Sequence, residues 1–209
     1  MEREKRNKFI LAAAGLLLLG LAYILWAVSP EEGNLDSRIL LFLQENIRNP
    51  ILNPVLICIT TLGNAGAIWI AGTIALCICK RTRRIGIICA CSLTVAFLLN
   101  NLFLKNLVGR IRPYEVVAGL QAIIARPVDS SFPSGHTSSG FSVAWVLLRN
   151  VPKRYGIPAV CLAALIGFSR LYVGVHYPTD VLVGMLIGIG CAYLADALVK
   201  RYGQRGMTR

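Results

Sequence analysis

The chain has 209 residues, of which 56% are hydrophobic and only 15% charged, and its formal net charge is +12. Soluble domains average about 45–50% apolar and about 25% charged residues, so this composition excludes an ordinary soluble domain, and its apolar content excludes a disordered chain. The basic residues lie in short clusters between apolar runs, which is typical of membrane topology and not of a nucleic-acid groove. We therefore expect a membrane protein that does not bind nucleic acid.

Long apolar runs without a charged residue mark the chain, the longest of which covers residues 52–79. An uncharged run of about 18 residues is long enough to cross a bilayer as a helix. With two weaker segments, these runs predict an all-α polytopic membrane protein, a bundle of six transmembrane helices in one domain over residues 1–209. The predicted spans are about residues 9–28, 54–79, 85–104, 136–149, 157–172 and 181–199.

The first span resembles a signal peptide, but we expect it to remain uncleaved. Its apolar run is longer than the usual apolar region of a signal peptide, and Pro30 follows the candidate cleavage site. Of the 22 Lys and Arg residues, fifteen lie in the tails and the even-numbered connections and seven in the odd-numbered ones. Since basic residues are enriched on the cytoplasmic side, this predicts a plasma-membrane protein with both termini inside and the odd-numbered connections outside.

The third connection, residues 114–132, carries apolar residues at positions 116, 117, 120, 123 and 124. This spacing favours a short helix that lies in the membrane interface. We expect this loop to gate the access of a substrate headgroup.

Seven cysteines, an odd number, all lie in apolar runs. The one-residue spacing of Cys77 and Cys79, and of Cys89 and Cys91, does not fit a CxxC redox or zinc site. We interpret the cysteines as small buried apolar residues that form no disulfide framework.

Three polar clusters fall on the predicted outer side, and the first contains Lys105 and Arg112. These cations are two helical turns apart, so we expect them on one face of a helix that Pro113 ends. Two cations directed at one point suggest a bound phosphate, which Arg can contact with two hydrogen bonds. The alternative is a pair of interfacial side chains that extend their charges to water.

The second cluster is Pro133-Ser134-Gly135-His136, which opens the fourth predicted span. Ser134 is the predicted N-cap, and Gly135 lets a ligand approach the free N–H groups of the helix start. His136 can donate a proton to a leaving oxygen. A histidine at the membrane interface without a catalytic role is the alternative.

The third cluster extends from Ser169-Arg170 to His176 and Asp180. A carboxylate four residues from His176 can hold one imidazole nitrogen while the other attacks as a nucleophile, and Arg170 adds a third cation. Asp180 could instead serve only as a helix N-cap. A zinc site formed by both histidines and Asp180 is a further alternative, which the three nearby cations oppose.

The motifs K-x6-R-P, P-S-G-H and S-R-x5-H-x3-D occur here in that order. They resemble those of the type 2 phosphatidic acid phosphatase family, the lipid phosphate phosphatases, and the resemblance covers about residues 52–199. It implies that His176 is a phosphohistidine-forming nucleophile, that Asp180 orients it and that His136 protonates the leaving group. It also implies a phosphate site built from Lys105, Arg112, Ser134, Gly135 and Arg170. The resemblance implies a mechanism that uses no metal and no other cofactor.

The chain is similar to the compact bacterial members of this family. We therefore expect a membrane lipid phosphatase whose partners are the bilayer and a lipid phosphate substrate, with undecaprenyl pyrophosphate first and phosphatidylglycerol phosphate or phosphatidic acid as alternatives. A phosphotransferase of the same family would pass the phosphate to an acceptor. A vanadate-dependent haloperoxidase shares the motifs but is soluble, and a transporter would carry ionisable residues near the bilayer middle.

Overall fold

In the computed structural model the described residues are 34–205, and the regular secondary structure in this range is helical, as predicted. The α-helices of this range are α1 (Leu35–Asn46), α2 (Leu52–Leu62), α3 (Ala67–Ile78), α4 (Arg83–Phe97), α5 (Lys105–Val108), α6 (Pro113–Val116), α7 (Gly135–Asn150), α8 (Lys153–Tyr172) and α9 (Pro178–Arg205). A π-helical segment, Leu98–Leu104, joins α4 to α5. The predicted first span, residues 9–28, lies outside the described residues. The candidate cleavage site that follows it lies outside them as well, so the prediction that it is not cleaved stays a prediction.

Three segments of the described chain are long and apolar enough to cross a membrane. They are Arg83–Val116, Lys153–Tyr172 and Pro178–Lys200. A fourth is formed if the bent pair Leu52–Leu62 and Asn64–Ile78 is one span. The helix expected at 136–149 is present as α7, but its 16 residues make it shorter than these segments. The chain is thus a multi-pass membrane protein, and the number of six spans stays a prediction.

The second predicted span is not one continuous helix, because α2 and α3 meet at an angle of 46°. Between them, Asn64–Gly66 forms a short 3₁₀ turn in which Ala65 and Gly66 have φ angles of 50° and 69°. Gly66 adopts this left-handed conformation readily, whereas Ala65 does so only at an energetic cost. The break turns Asn64 towards the start of α7, where His136 lies.

Helix α7 packs closely against α9, and this contact fixes the position of the second motif. A Cβ atom at Gly184 would lie 2.7 Å from the Ser134 carbonyl oxygen, and one at Gly188 would lie 2.6 Å from that of Ser138. Glycine is therefore needed at both positions, as expected for closely packed membrane helices. A Cβ atom at Gly190, in contrast, would meet no other atom within 4 Å.

The predicted interfacial helix in the third connecting loop is not present. Helical backbone ends at Val116, and Gly119 has a φ of 80°. The apolar residues of the loop pack inward instead, where Val117 and Leu120 are buried against α1. Because Ile123 donates a backbone hydrogen bond to Val173 (3.2 Å), the loop is also tied to the segment after α8. Its apolar spacing thus reflects packing and not an interfacial helix.

The seven cysteines are free, and they differ in burial. Cys89 and Cys191 are buried, as the sequence suggested for all of them. Cys58 and Cys161 are exposed on helices and Cys79 is exposed just after α3, so the expectation of burial was wrong for these three. In a membrane protein such apolar surface faces lipid and needs no protein partner.

Candidate active site

A cavity of about 860 Å³ lies between the broken α2–α3 segment, α4, the start of α7 and the loop before it. Six of the eight predicted site residues line this cavity: Lys105, Arg112, Gly135, His136, Arg170 and His176. The other two, Ser134 and Asp180, are completely buried. The fold therefore brings the three motifs together around one space.

His176 lies in the short turn between α8 and α9 and is only 2% exposed. Its Nδ1 is 3.4 Å from Oδ2 of Asp180, and its Nε2 is 3.5 Å from Nη1 of Arg112. Burial, and then the charges of the nearby arginines and Lys105, hold the pKa of His176 well below its ordinary value of 6.5. The imidazole is thus neutral near pH 7, and a proton on Nδ1 leaves the Nε2 lone pair facing the cations.

Asp180 is the third residue of α9 and not its N-cap. Its Oδ2 accepts a hydrogen bond from the Tyr177 backbone N–H (2.9 Å), the reciprocal contact of a capping box. The same oxygen thus bonds the helix start and faces His176, so Asp180 contacts both although it is not the N-cap that the structural alternative expected.

The start of α7 is built largely as predicted. Ser134 occupies the N-cap position, but its hydroxyl accepts a hydrogen bond from the Thr137 hydroxyl (2.9 Å) and not from a backbone N–H. The Ser134 backbone N–H donates to the Asp180 carbonyl (3.0 Å), which joins the second motif to the third. Gly135 borders the cavity, where a Cβ would approach Oδ1 of Asn101 to 3.3 Å.

His136 contacts the break between α2 and α3. Its Nε2 lies 3.0 Å from Oδ1 of Asn64. A Cβ atom on Gly63 would come within 2.7 Å of the His136 ring, so the absence of a side chain there makes room for the imidazole. The helix break therefore positions the second histidine, which the sequence did not predict.

Lys105 and Arg112 do not lie on one helix, contrary to the prediction. Helix α5 ends at Val108 because Gly109 adopts a φ of 60°, and Pro113 begins α6 instead of ending a helix. Both cations nevertheless reach one carboxylate, because Asp129 pairs with Lys105 Nζ and with Arg112 Nη2, the latter at 2.7 Å. Partial burial opposes ionisation of Asp129, but these two partners outweigh it and lower its pKa to about 2.

Arg170 is a buried cation that pairs with no carboxylate of the described residues. It is 3% exposed, its Nη1 donates to the Thr60 hydroxyl (2.6 Å), and its Nε has no hydrogen-bond partner there. A buried charge without an opposite charge is costly, so this side chain is suited to an anionic ligand. Within residues 34–205, no group of three His, Cys, Asp or Glu residues is placed to hold a metal ion.

Sequence reasoning missed three residues around the site. Arg110 bridges Asp180 and Asp36 with contacts of 2.6 and 2.9 Å, and Asn64 contacts His136. Arg110 lies between the two predicted phosphate-binding cations, which was the only available signal. Asp36 and Asn64 belong to no motif.

Comparison with known proteins gives a consistent result. The profile of the PAP2 superfamily matches residues 85–203. An undecaprenyl-diphosphatase from Sulfolobus acidocaldarius is 33% identical over 181 residues, which are 86% of each chain. The crystal structure of Aquifex aeolicus LpxE superposes with a TM-score of 0.70 at 28% identity and covers 79% of this chain and 96% of that one. A transmembrane PAP2-type phosphatidylglycerolphosphate phosphatase from Bacillus subtilis gives a TM-score of 0.67 at 26% identity, with coverage of 88% and 96%.

Proposed function

The chain belongs to the PAP2 superfamily and is a phosphoric ester hydrolase of the membrane, and from this we propose that it is a lipid phosphatase acting on undecaprenyl pyrophosphate. The family expected from the motifs is thereby confirmed. The name of the Sulfolobus acidocaldarius relative supports undecaprenyl pyrophosphate as the first substrate. Phosphatidylglycerol phosphate, the substrate in the name of the Bacillus subtilis structure, and phosphatidic acid are the alternatives.

The observation that carries this proposal is a single cavity lined by both charged and apolar side chains. Both histidines and the three cations line it. Apolar residues of two helices line it as well, namely Ile70 and Ile74 of α3 and Leu93 and Phe97 of α4. A volume of about 860 Å³ is far larger than a phosphate group needs, so the cavity suits a phosphate that is attached to an apolar chain.

We assign the chemistry to the eight motif residues that line this cavity or lie buried beside it. His176 Nε2 attacks the phosphorus, the bond from phosphorus to the leaving oxygen breaks, and His136 gives that oxygen a proton. Asp180 holds the Nδ1 proton of His176, and water then hydrolyses the phosphohistidine. Lys105, Arg112, Arg170, Ser134 and Gly135 bind the phosphoryl oxygens. Phosphoryl transfer mainly requires positioning and neutralisation of negative charge, which these groups can supply without a divalent ion.

The orientation in the membrane is part of the same proposal. We place both termini in the cytoplasm, six spans in the plasma membrane and the active site on the extracytoplasmic face, with residues 1–209 as one domain. The uneven distribution of Lys and Arg supports this arrangement. The loop of residues 114–132 is proposed to gate the cavity, because Ile124, Ala125, Pro127 and Asp129 line it.

A panel of purified lipid phosphates, assayed for phosphate release in excess EDTA and without an acceptor, tests the function. We expect release to be fastest with undecaprenyl pyrophosphate, to persist in EDTA and to be inhibited by vanadate, a mimic of the pentacoordinate phosphoryl group. Loss of activity in EDTA with rescue by Mg²⁺ or Zn²⁺ would contradict the metal-free mechanism. Absence of phosphate release, with transfer of the phosphoryl group to an added acceptor, would identify a phosphotransferase. Transport of the lipid without release or transfer would identify a transporter. The His176→Ala protein is the control for contaminating phosphatases.

A further inference from the structure

A buried chain of charges connects the first described helix to the predicted nucleophile. Arg110 stands at its centre with a side chain that is 3% exposed. Its Nη1 donates to Oδ1 of Asp180 (2.6 Å) and its Nη2 to Oδ2 of Asp36 (2.9 Å). The guanidinium also lies over the Tyr177 ring, with its carbon 3.8 Å from the ring centre. Arg110 is thus held from three sides and has little freedom to move.

The two oxygens of Asp180 have different partners. Oδ1 accepts from Arg110, whereas Oδ2 faces His176 Nδ1 and accepts from the Tyr177 backbone N–H. Since Arg110 occupies Oδ1, the carboxylate cannot rotate without losing a strong charge-assisted hydrogen bond. Oδ2 is therefore kept in the direction of the imidazole.

We propose that Arg110 and Asp36 are positioning residues, which keep the Asp180 carboxylate oriented and ionised for His176 without touching the substrate. The proposal rests on the proposed phosphatase function and concerns two residues that no motif specifies, since Asp36 lies outside the motifs and Arg110 at an unspecified position of K-x6-R-P. Arg110 neutralises Asp180, which is completely buried, and Asp36 in turn neutralises Arg110. Thr179 strengthens the connection, because its backbone N–H donates to Asp36 (3.2 Å) and its hydroxyl accepts from Arg110 (2.7 Å).

The charge of this chain suits a nucleophilic histidine. With a neutral His176, the carboxylates of Asp36 and Asp180 and the guanidinium of Arg110 carry a net charge of −1. When Nε2 takes the phosphoryl group and Nδ1 keeps its proton, positive charge develops on the ring and the cluster becomes neutral. Arg110 alone would cancel the charge of Asp180, so Asp36 supplies the remaining negative charge.

A purely structural ion pair is the competing explanation. Buried ion pairs often contribute little net stability, because desolvation offsets their attraction. Stability alone therefore does not separate the two explanations, and the test must read out the charge state of His176. The charged and titratable groups around His176 are Asp180, Arg110, Asp36, Tyr177, Lys105, Arg112, Asp129, Arg170 and His136.

The pH profile of kcat/KM distinguishes the two roles, because its acidic limb reports protonation of the free enzyme. Asp36→Asn removes a negative charge near His176, so its acidic limb should move to lower pH. Arg110→Met removes a positive charge, so its limb should move to higher pH. Each shift should be about 0.5–1 pH unit, less than the roughly 1–3 units of a charge in direct contact, because Arg110 and Asp36 reach His176 only through Asp180. Loss of a structural contact predicts no such opposite shifts.

The size of the kinetic effect gives a second readout. Each variant should lower kcat by about 10–100-fold, the range seen when residues that orient a functional histidine are removed. KM should change little, because the cations proposed to bind the phosphate remain. Adding Arg110→Met to Asp180→Asn should cost at most about 2-fold more, since Arg110 acts through Asp180. The control is Arg154→Met, which removes an exposed arginine stacked on Tyr155 at the start of α8, outside the cavity lining, and should leave kcat within about 2-fold.

Folding is monitored by the melting temperature and by size-exclusion chromatography of each purified variant. If Arg110→Met does not fold, the proposal is tested with Asp36→Asn and Arg110→Lys instead. The Arg110→Lys protein keeps the positive charge but loses the two-pronged contact. It should therefore have a lower kcat, with the acidic limb of kcat/KM at an unchanged pH. Three results would overturn the proposal. One is an unchanged kcat in folded Asp36→Asn, and another is a shift of the acidic limb in the same direction in Asp36→Asn and Arg110→Met. The third is that Arg110→Met lowers kcat by its full factor even when Asp180→Asn is already present. Failure of the proposed function is distinct, because the unchanged protein would then release no phosphate from any lipid.

Discussion

Replacing Asp129 by Asn should tighten the binding of phosphate to the active site. The Asp129 carboxylate pairs with Lys105 and Arg112, the two cations proposed to bind the substrate phosphate. A phosphate group that enters must therefore displace this carboxylate. Asn has the same shape but no charge, so it competes less for the two cations.

The expected magnitude follows from the exposure of the carboxylate. Asp129 is 53% exposed, so its two ion pairs are screened by solvent and each contributes about 0.2–1 kcal/mol. Removing a competitor worth about 1 kcal/mol in total corresponds to about fivefold tighter binding. Because the pKa of Asp129 is lowered to about 2, the carboxylate is ionised throughout the working range, and its competition disappears only as the pH falls towards that value. The fivefold difference should thus be constant from about pH 5 to pH 8.

The assay is competitive inhibition of hydrolysis by inorganic phosphate and by vanadate, measured for Asp129→Asn and the unchanged protein at several pH values. Glu115→Gln is the matched control, because it removes an exposed acid from the same loop that contacts neither cation. Its inhibition constants should stay within about 2-fold of those of the unchanged protein. Weaker inhibition of Asp129→Asn, or an equal gain in Glu115→Gln, would show that Asp129 does not compete for the phosphate site.

Three further outcomes are expected. His136→Ala should lower turnover of a lipid phosphate by about 10²–10⁴-fold but that of an activated aryl phosphate much less, because a good leaving group needs no proton; equal losses in steady-state assays would contradict the acid role. The side chain of Val128 is fully exposed, so a cysteine introduced there (Val128→Cys) should react with an impermeant thiol reagent in intact cells. Labelling only after lysis would show that the protein has the opposite orientation in the membrane. Because burial and the neighbouring cations lower the pKa of His176, its neutral form persists to lower pH than that of a free histidine. The acidic limb of kcat/KM should thus lie below pH 6.5, and a limb above that value would show that His176 is not the titrating group.

The sequence predicted which residues converge on one cavity better than it predicted their local geometry. The motifs placed six residues around one cavity, because each motif occupies a helix end where polar groups can gather. The helix proposed to carry both Lys105 and Arg112 was wrong, since Gly109 ends it and the two side chains converge from different segments. Spacing alone could not show this, because a seven-residue interval is compatible with a helix and with a turn.

Long-range contacts were beyond reach of sequence reasoning. Asp36 and Asp180 are joined through Arg110, which lies 74 positions from the first and 70 positions from the second. Asp36 lies outside the motifs, and Arg110 occupies an unspecified position of K-x6-R-P. The break at Asn64 was hidden in an apolar run, where only the Gly residues beside it hinted at irregular backbone. The apolar pattern after Glu115 predicted an interfacial helix because inward packing produces the same spacing.

Trapping the phosphoenzyme tests the assignment of His176 most directly. The purified protein is mixed with radiolabelled lipid pyrophosphate and quenched rapidly. Phosphate bound to the protein should be stable in alkali and labile in acid, as expected of phosphohistidine, and it should be absent from His176→Ala. His136→Ala should still form it from an activated aryl phosphate. Acid-labile phosphoenzyme in His176→Ala and none in His136→Ala would show that the two histidines have the opposite roles.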